Sequence, residues 1–342
     1  MNAIVLRGPG GPEVLGYEQI ERPVPHRGEV LVKVKAAAVN HLDIWIRSGL
    51  ASYGTKYPHV PGSDFSGEVF EVSPDVKDFT PGDRVLVDPG LRCLKCDRCL
   101  EGNNNICRSM GIIGASCWGG YAEYAKVNAD NLVPLPPHIG FEEGAAFPLT
   151  FLTSWHMLSG RAELKAGQSV LIIAGGSGIG VAAIQIAKLM GAMVVATAGG
   201  PEKTSRLAEL GADHVIDHGK EDIKKRVMDF TNGEGVDVVF EHVGPATFQS
   251  SLGSLKKGGK LVICGATTGP EVTFDLRGLF SRQLDIMGSF LGTRRELLAV
   301  TKLVAEGRLK PVIDEVLPLR EAARAHEKMQ MRAHFGKLIL VP

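Results

Sequence analysis

The pattern of apolar and polar residues changes near residue 169, and the two parts of the chain predict different folds. After this point, apolar runs alternate with helical segments, which is typical of a doubly wound parallel sheet in an α/β domain. Before it, residues 1–90 are rich in strand patterns, such as the alternating charged and apolar positions of 29–35. The predicted strands of the second part are 170–174, 193–198, 214–217, 236–240, 259–264 and 284–288, and its predicted helices are 181–190, 202–210, 220–230 and 248–255.

The remaining predicted elements define the boundaries of two domains. A final helix at 296–306 and a final strand at 337–341 are expected to rejoin the first part. We therefore predict one domain from 1–149 with 291–342, and a second from 150–290. The first part has predicted strands at 3–6, 29–35, 67–72 and 119–127, a turn and strand at 80–87, a short helix at 39–49 and one long alanine-rich helix at 141–158.

A glycine-rich turn separates the strand at 170–174 from the helix that follows it. Its sequence, Gly-Gly-Ser-Gly-Ile-Gly, matches the G-x-G-x-x-G pattern at positions 175 and 180, but position 177 is serine. Such a turn lets a pyrophosphate approach the free amides and the positive dipole end of the helix. Strand and helix flank the turn as the pattern requires, so we predict a dinucleotide-phosphate site rather than a turn that only packs a helix. Its residues are Gly175, Ser177, Gly178, Ile179 and Gly180.

Composition and charge exclude several classes of protein. Lys and Arg number 38 and Asp and Glu number 38, so no basic excess favours a nucleic-acid partner. The first residues lack the apolar core of a signal peptide, and no continuous apolar run is long enough for a membrane span. Four of the six cysteines lie within 15 residues, unlike an extracellular disulfide framework. We expect a cytoplasmic protein with no nucleic-acid or membrane partner.

The clustered cysteines have the spacing of metal ligands. Thiolates at these intervals can converge on one tetrahedral zinc ion. Four thiolates close the coordination sphere, so the predicted ion is structural, within a surface lobe at about 90–110. The predicted ligands are Cys93, Cys96, Cys99 and Cys107.

Together, these features resemble the medium-chain dehydrogenase/reductase superfamily, which includes zinc alcohol dehydrogenases and quinone oxidoreductases. The most specific marks are the cysteine lobe, PGSDFSG at 61–67, PGDR at 81–84 and the turn at 174–180. The resemblance implies a GroES-like catalytic domain, a Rossmann domain with strand order 3-2-1-4-5-6, and a cleft between them for the nicotinamide. By the same resemblance, further cofactor-binding residues are Thr153, Val243, Gly265, Phe290 and Lys337.

The chain departs from the alcohol-dehydrogenase pattern where that family holds a catalytic zinc. The position of the cysteine ligand is Asn40, that of the histidine ligand is Ser63, and that of the neighbouring glutamate is Asp64. The third ligand position falls at Leu149 or Thr150. Neutral amide, hydroxyl and aliphatic side chains are poor zinc ligands, so we predict a cleft without catalytic zinc. A different metal site built from His41, His59 and Asp64 is the alternative.

Without zinc, the negative charge that develops on a substrate oxygen must be met by hydrogen-bond donors. Conjugation spreads this charge, so a quinone or an α,β-unsaturated carbonyl is the expected substrate. We expect Asp43 and Arg47 to form an ion pair four residues apart that fixes the helix behind the site. The candidate donors are Asn40, Ser63 and Tyr53, and the acidic candidates are Asp43 and Asp64.

In a Rossmann domain, the residues after the second strand bind the adenosine ribose of the cofactor. Sites for NAD place an acidic residue there, whereas the aligned position here is Ala198. Lys203 and Arg206 follow, one turn apart, and could neutralise a 2′-phosphate. The alternative is that both are charged helix residues that face solvent and bind no cofactor. We therefore favour NADP(H) as the cofactor, with NAD(H) as the alternative.

Three classes of function are compatible with the sequence. The first is a reductase of quinones, enones or activated carbonyls without catalytic zinc. The second is an alcohol dehydrogenase with a non-standard metal site, and the third is an NADPH-binding protein without activity. The apolar strand at 284–288 is a candidate sheet edge, so we expect a homodimer or homotetramer.

Overall fold

A computed structural model describes residues 1–50 and 52–342, which form two compact units. Unit 1 comprises Met1–Leu149, Thr293–Ala305 and Pro311–Pro342, and unit 2 comprises Thr150–Gly292 and Glu306–Lys310. The sequence had assigned 291–292 and 306–310 to the first domain, but they belong to unit 2. No helix in the described part of the chain is long and apolar enough to cross a lipid bilayer.

The chain contains seventeen strands and eleven α-helices within the described residues. The strands are β1 (Asn2–Val5), β2 (Gly16–Gln19), β3 (Glu29–Ala38), β4 (Asp64–Val72), β5 (Arg84–Val87), β6 (Gly90–Leu91), β7 (Gly111–Ile112), β8 (Tyr124–Asn128), β9 (Leu132–Pro134), β10 (Ser169–Ile172), β11 (Met193–Ala198), β12 (His214–Asp217), β13 (Val236–Glu241), β14 (Leu255–Ile263), β15 (Asp285–Gly288), β16 (Ile313–Pro318) and β17 (Lys337–Val341). The α-helices are α1 (His41–Arg47), α2 (Asp97–Leu100), α3 (Phe141–Ala146), α4 (Pro148–Trp155), α5 (Gly178–Leu189), α6 (Pro201–Glu209), α7 (Ile223–Phe230), α8 (Pro245–Ser254), α9 (Leu276–Ser281), α10 (Arg294–Ala305) and α11 (Ala322–Gln330).

Unit 1 is built around the long strand β3. It pairs antiparallel with β4, β8 and β17 in a seven-stranded sheet, whose main path is β16-β17-β3-β4-β5-β9. Lys33 is exposed while Val32 and Val34 are buried, which matches the alternation predicted there. The C-terminal strand β17 pairs Ile339 with Ala38, so the last strand of the chain joins the sheet built by its first part.

Two predicted elements in the first half of the chain are wrong in extent. The predicted strand at 119–127 begins only at Tyr124, because 119–121 form a loop whose amides bond to carbonyls of 60–62. The predicted helix at 141–158 is interrupted at Phe147, directly before Pro148, and continues as α4 and a π-helical turn, His156–Arg161. Proline lacks the amide that a continuous helix requires, and it disfavours helical geometry in the residue before it.

Unit 2 is a doubly wound parallel sheet, as predicted. Its strand order is β12-β11-β10-β13-β14-β15, which is the predicted 3-2-1-4-5-6 order. Leu171, Val195 and Val239 of the central strands are fully buried in one apolar cluster. The loops that bind ligands in such sheets follow the carboxyl ends of the strands.

Candidate functional site

A buried polar cluster lies where three strands of unit 1 meet. Asp64 begins β4 opposite Ala38 of β3, and Asn40 follows two residues after Ala38. Lys337 begins β17, on the other side of β3. Asn40, Asp64 and Lys337 are 5%, 0% and 3% exposed. The sheet register therefore brings together residues from three distant parts of the sequence.

Hydrogen bonds join these three side chains. Lys337 Nζ donates to Asn40 Oδ1 at 2.6 Å and lies 3.4 Å from Asp64 Oδ2. Asn40 Nδ2 donates to the same carboxylate oxygen at 3.0 Å, and the Leu149 amide donates to Asp64 Oδ1 at 2.9 Å. Burial raises the pKa of Asp64 and lowers the pKa of Lys337, while each opposes the shift of the other. The ammonium thus compensates a carboxylate that water does not reach.

Asp43 lies beside this cluster and does not pair with Arg47, so that expectation is wrong. As the third residue of α1, Asp43 folds back to accept from the Asn40 amide at 2.8 Å, and it also accepts from Tyr121 Oη at 3.0 Å. Burial raises the pKa of Asp43 to about 6. Arg47 instead donates to the Gly10 carbonyl at 3.2 Å and contacts His326 Nδ1 at 3.3 Å.

The other predicted donors differ in their surroundings. Ser63 is completely buried, and its Oγ has no hydrogen-bond partner within residues 1–50 and 52–342. Tyr53 is half-buried, and its ring stacks on Trp45 with centroids 6.5 Å apart. Burial raises the pKa of the Tyr53 phenol. Ser63 is therefore the unsatisfied donor beside Asp64.

The residues at this cluster do not suit a catalytic zinc ion. Its carboxylate already binds an ammonium and two N–H donors, and the three side chains that form the cluster include no cysteine or histidine. His59 is buried, with Nε2 2.8 Å from the Gly114 carbonyl, so its ring is engaged elsewhere. In the described residues, no metal-ligating group of three or more side chains includes His41, His59 or Asp64.

The four cysteines do fit a metal ion. All four sulfur atoms lie within 4.8 Å of one another. The separations Cys93–Cys99 and Cys96–Cys107 are both 4.0 Å, and Cys93–Cys107 is 3.5 Å. Tetrahedral coordination with Zn–S bonds of about 2.3 Å requires sulfurs about 3.8 Å apart. The lobe thus has the ligand set and dimensions of a structural zinc site.

The glycine turn lies between β10 and α5, as predicted. Ser177 caps α5, accepting from the Gly180 amide at 3.0 Å. A β-carbon on Gly180 would lie 2.5 Å from the Ala174 carbonyl oxygen, so only glycine permits this close packing. Gly175 donates its amide to Thr197 at 2.7 Å, and the Ile179 carbonyl accepts from Ser154 Oγ at 3.0 Å.

The other predicted cofactor residues lie on several elements of unit 2, except one. Val243 follows β13, and its carbonyl accepts from the amide and hydroxyl of Thr268 at 2.9 and 2.8 Å. Gly265 follows β14, and Phe290 follows β15 with its side chain 47% exposed. Thr153 lies on α4 and is buried. Lys337 is the exception, because it belongs to the buried cluster of unit 1.

The end of β11 carries no acidic side chain. Ala198 is its last residue and pairs with Asp217 of β12. The Asp217 carboxylate accepts from the amides of Gly200 and Gly219 at 3.1 and 3.0 Å, and these bonds lower its pKa. Lys203 and Arg206 lie on α6, both half-buried.

Sequence reasoning did not identify Glu241 or His242 as site residues. Glu241 ends β13, is fully buried and accepts five hydrogen bonds; His242 follows it and is 8% exposed. The available signal was an acidic residue directly after an apolar strand, at the edge where such sheets bind ligands.

A parallel sheet with a glycine turn, together with a β-rich unit and a four-cysteine lobe, is typical of nucleotide-dependent dehydrogenases with a zinc-binding lobe. A family model for the alcohol dehydrogenase GroES-like domain matches residues 26–137, and one for zinc-binding dehydrogenases matches 178–306. The chain belongs to the medium-chain dehydrogenase/reductase superfamily and is an NAD(P)-dependent oxidoreductase.

Individual relatives include both branches suggested by the sequence. An alcohol dehydrogenase of Geobacillus stearothermophilus is 34% identical over 95% of this chain and 96% of its own. A quinone oxidoreductase of Sus scrofa is 32% identical over 100% of this chain and 98% of its own. A crystal structure described as an NAD-dependent alcohol dehydrogenase is 45% identical, with a TM-score of 0.96 and full coverage of both chains.

Proposed function

We propose that the protein reduces a conjugated carbonyl compound, either a quinone or an enone, with hydride from a nicotinamide cofactor and without a catalytic zinc ion. The observation that carries the proposal is the position of Lys337. Its ammonium lies against Asn40 and Asp64, where the related alcohol dehydrogenases would hold a metal. A second cation would have to displace this buried charge, at the cost of leaving the lysine unpaired.

The bound cofactor supplies the hydride, and this chain supplies the groups that stabilise the negative charge developing on the substrate. Reduction of an enone adds hydride and one proton, and negative charge accumulates on the carbonyl oxygen meanwhile. Ser63 offers a buried hydroxyl with no competing partner in the described chain. Lys337 adds a buried positive charge next to Asp64, the residue that follows Ser63. Such preorganised donors stabilise developing charge most strongly where water is excluded.

A substrate and metal screen tests this proposal. The purified protein is assayed with NADPH and NADH against quinones, cyclic enones and aldehydes, and with NADP⁺ and NAD⁺ against primary and secondary alcohols. Metal content is measured on the same sample. We expect reduction of quinones or enones with about one zinc per chain, held by the four cysteines.

The relatives named alcohol dehydrogenases favour a second candidate, reversible oxidation of an alcohol. Without a metal, nothing lowers the pKa of an alcohol hydroxyl before hydride leaves it. Turnover of simple alcohols with about two zinc ions per chain would establish this candidate and reject the first.

We infer a preference for NADP(H) from the end of β11. β11 itself ends without a carboxylate, the Asp217 carboxylate of the neighbouring strand accepts from two backbone amides, and Lys203 and Arg206 lie on the next helix after the exposed Glu202. Replacing both cations with alanine should raise the Kd of NADPH about tenfold and leave that of NADH unchanged. Lys220→Ala, an exposed lysine near Asp217, is the matched control.

We also propose that β15 joins two copies of the chain. It is one of the two edge strands of the sheet in unit 2, and Leu276 and Phe280 of the preceding helix are 65% and 69% exposed. Light scattering at micromolar concentration should give twice or four times the chain mass. A monomer under these conditions would reject the proposal.

A further inference from the structure

His242 is hydrogen-bonded to the glycine turn from the neighbouring strand. Its Nε2 lies 2.9 Å from the Ile173 carbonyl oxygen and 3.4 Å from Ser177 Oγ. A carbonyl oxygen only accepts, so Nε2 must carry the proton. Burial lowers the pKa of His242, which keeps the ring neutral in this form. The imidazole therefore donates to the end of β10 and faces the serine of the turn.

Ser177 has the complementary set of bonds. Its hydroxyl donates to the Ala174 carbonyl at 2.8 Å and accepts from the Gly180 amide at 3.0 Å, which leaves one lone pair toward His242. The backbone at Ser177 has φ −73°, which any L-residue adopts. Position 177 therefore has no conformational need for the glycine of the G-x-G-x-x-G pattern.

The backbone of His242 is itself held firmly. Glu241 Oε1 accepts from the amides of His242, Val243 and Gly244 at 2.9, 2.7 and 3.2 Å. Its Oε2 accepts from Thr247 and Ser251 at 2.9 and 2.6 Å. A buried carboxylate with five donors fixes this loop, so the imidazole is presented to the turn from a rigid support.

We propose that Ser177 and His242 form one coupled unit that holds the glycine turn in the conformation that receives the cofactor's pyrophosphate. His242 is a positioning residue in this unit, and the serine that breaks the glycine pattern is its partner. The inference rests on the proposed binding of a nicotinamide dinucleotide to unit 2. It predicts equal effects on NADPH and NADH, because the pyrophosphate is common to both.

A double-mutant cycle tests the coupling. Calorimetric titrations with NADPH, NADH and ADP-ribose are compared for wild type, Ser177→Ala, His242→Leu and the double variant. Each single change should raise Kd about 5- to 10-fold for all three ligands, because each removes the shared contact together with that residue's own bonds to the turn or to β10. The loss in the double variant should be smaller than the product of the two single losses, because the contact between Ser177 and His242 is lost only once. His242→Gln, which retains an N–H donor, should recover most of the affinity.

Asp222→Ala is the matched control, because it removes the cap of another helix in unit 2, a 2.7 Å bond to the Lys225 amide. It should lower the melting temperature without changing Kd, and S177G provides a second serine variant if S177A folds poorly. Multiplicative losses in the double variant, unchanged Kd in both singles, or a loss confined to NADPH would each overturn the coupling. Failure of the wild type to bind any of the three ligands would instead overturn the proposed function on which the inference rests.

Discussion

Lys337 donates a 2.6 Å hydrogen bond from Nζ to Oδ1 of Asn40, although 297 positions separate them in the chain. Both residues are buried, and the Asp64 carboxylate contacts each of them. The contact exists because β17 and β4 both pair with β3 next to Ala38. The candidate site of unit 1 is therefore completed only when the C-terminal strand has joined the sheet.

Removing the ammonium should destabilise the protein more than removing a surface lysine. Lys337→Met leaves the Asp64 carboxylate buried without its cation, which should cost about 3–5 kcal/mol of unfolding free energy. The double variant K337M/D64N removes both charges and should recover a large part of that loss. Urea denaturation at pH 7 measures each free energy.

Lys328 provides the control for this series. It binds Asp314 and Glu315 at 2.7 Å near the surface, so K328M should cost less than about 1 kcal/mol. If K337M is no more damaging than K328M, Lys337 does not compensate a buried carboxylate, and the argument against a catalytic metal loses its basis.

Variants of two serines three residues apart should distinguish a role in catalysis from a role in stability. Ser63 Oγ bonds to no group in the described chain, so Ser63→Ala should leave the melting temperature unchanged while lowering kcat/KM for an enone about 100-fold. Ser66 donates to the Phe141 carbonyl instead, so Ser66→Ala should lower the melting temperature and preserve kcat/KM. Equal activity of S63A and wild type would remove Ser63 from the mechanism.

Local patterns gave the fold of unit 2 with high accuracy. The predicted bounds of β11 and β12 coincide with the structure, because glycines lie close to both ends of each segment. Pattern alone failed at 141–158, where alanine-rich helical spacing continued across Pro148. It also did not identify β16 and α11, whose charged residues obscure the apolar period.

Only part of the candidate site could be predicted from the sequence. The resemblance identified Asn40, Ser63 and Asp64 through motif positions, but it assigned Lys337 to the cofactor. Strand register decides which side chains meet, and it depends on pairing between segments far apart in the chain. The Asp43–Arg47 pair failed for a related reason, since helical spacing permits a contact that the buried cap then prevents.

The cysteine lobe should hold one zinc ion that supports folding and takes no part in chemistry. Cys93→Ser should reduce bound zinc to well below one ion per chain, measured by elemental analysis, and lower the melting temperature. The Kd of NADPH should not change, because the lobe belongs to unit 1. Cys117→Ser, an exposed cysteine outside the cluster, is the control and should retain the zinc. Loss of NADPH binding in C93S without a fall in melting temperature would contradict a structural ion.

The buried Asp43 carboxyl predicts a particular pH dependence of stability. Burial raises its pKa from 3.8 to about 6, so the folded state holds the proton more tightly than the unfolded state does. Its contribution to stability is therefore complete below about pH 4 and is lost as pH rises through 6, a change on the order of 3 kcal/mol. Urea denaturation between pH 4 and 8 measures this slope.

Tyr121→Phe isolates the contribution of Asp43 from that of Asp64, whose pKa burial also raises. The Tyr121 hydroxyl donates to the Asp43 carboxylate and so favours its charged form. Without it, the pKa of Asp43 rises further, and the loss of stability should extend to higher pH than in wild type. Tyr124→Phe, a half-buried tyrosine on β8, should leave the pH profile unchanged. Coincident profiles for Y121F and wild type would show that the phenol does not control ionisation of this carboxyl.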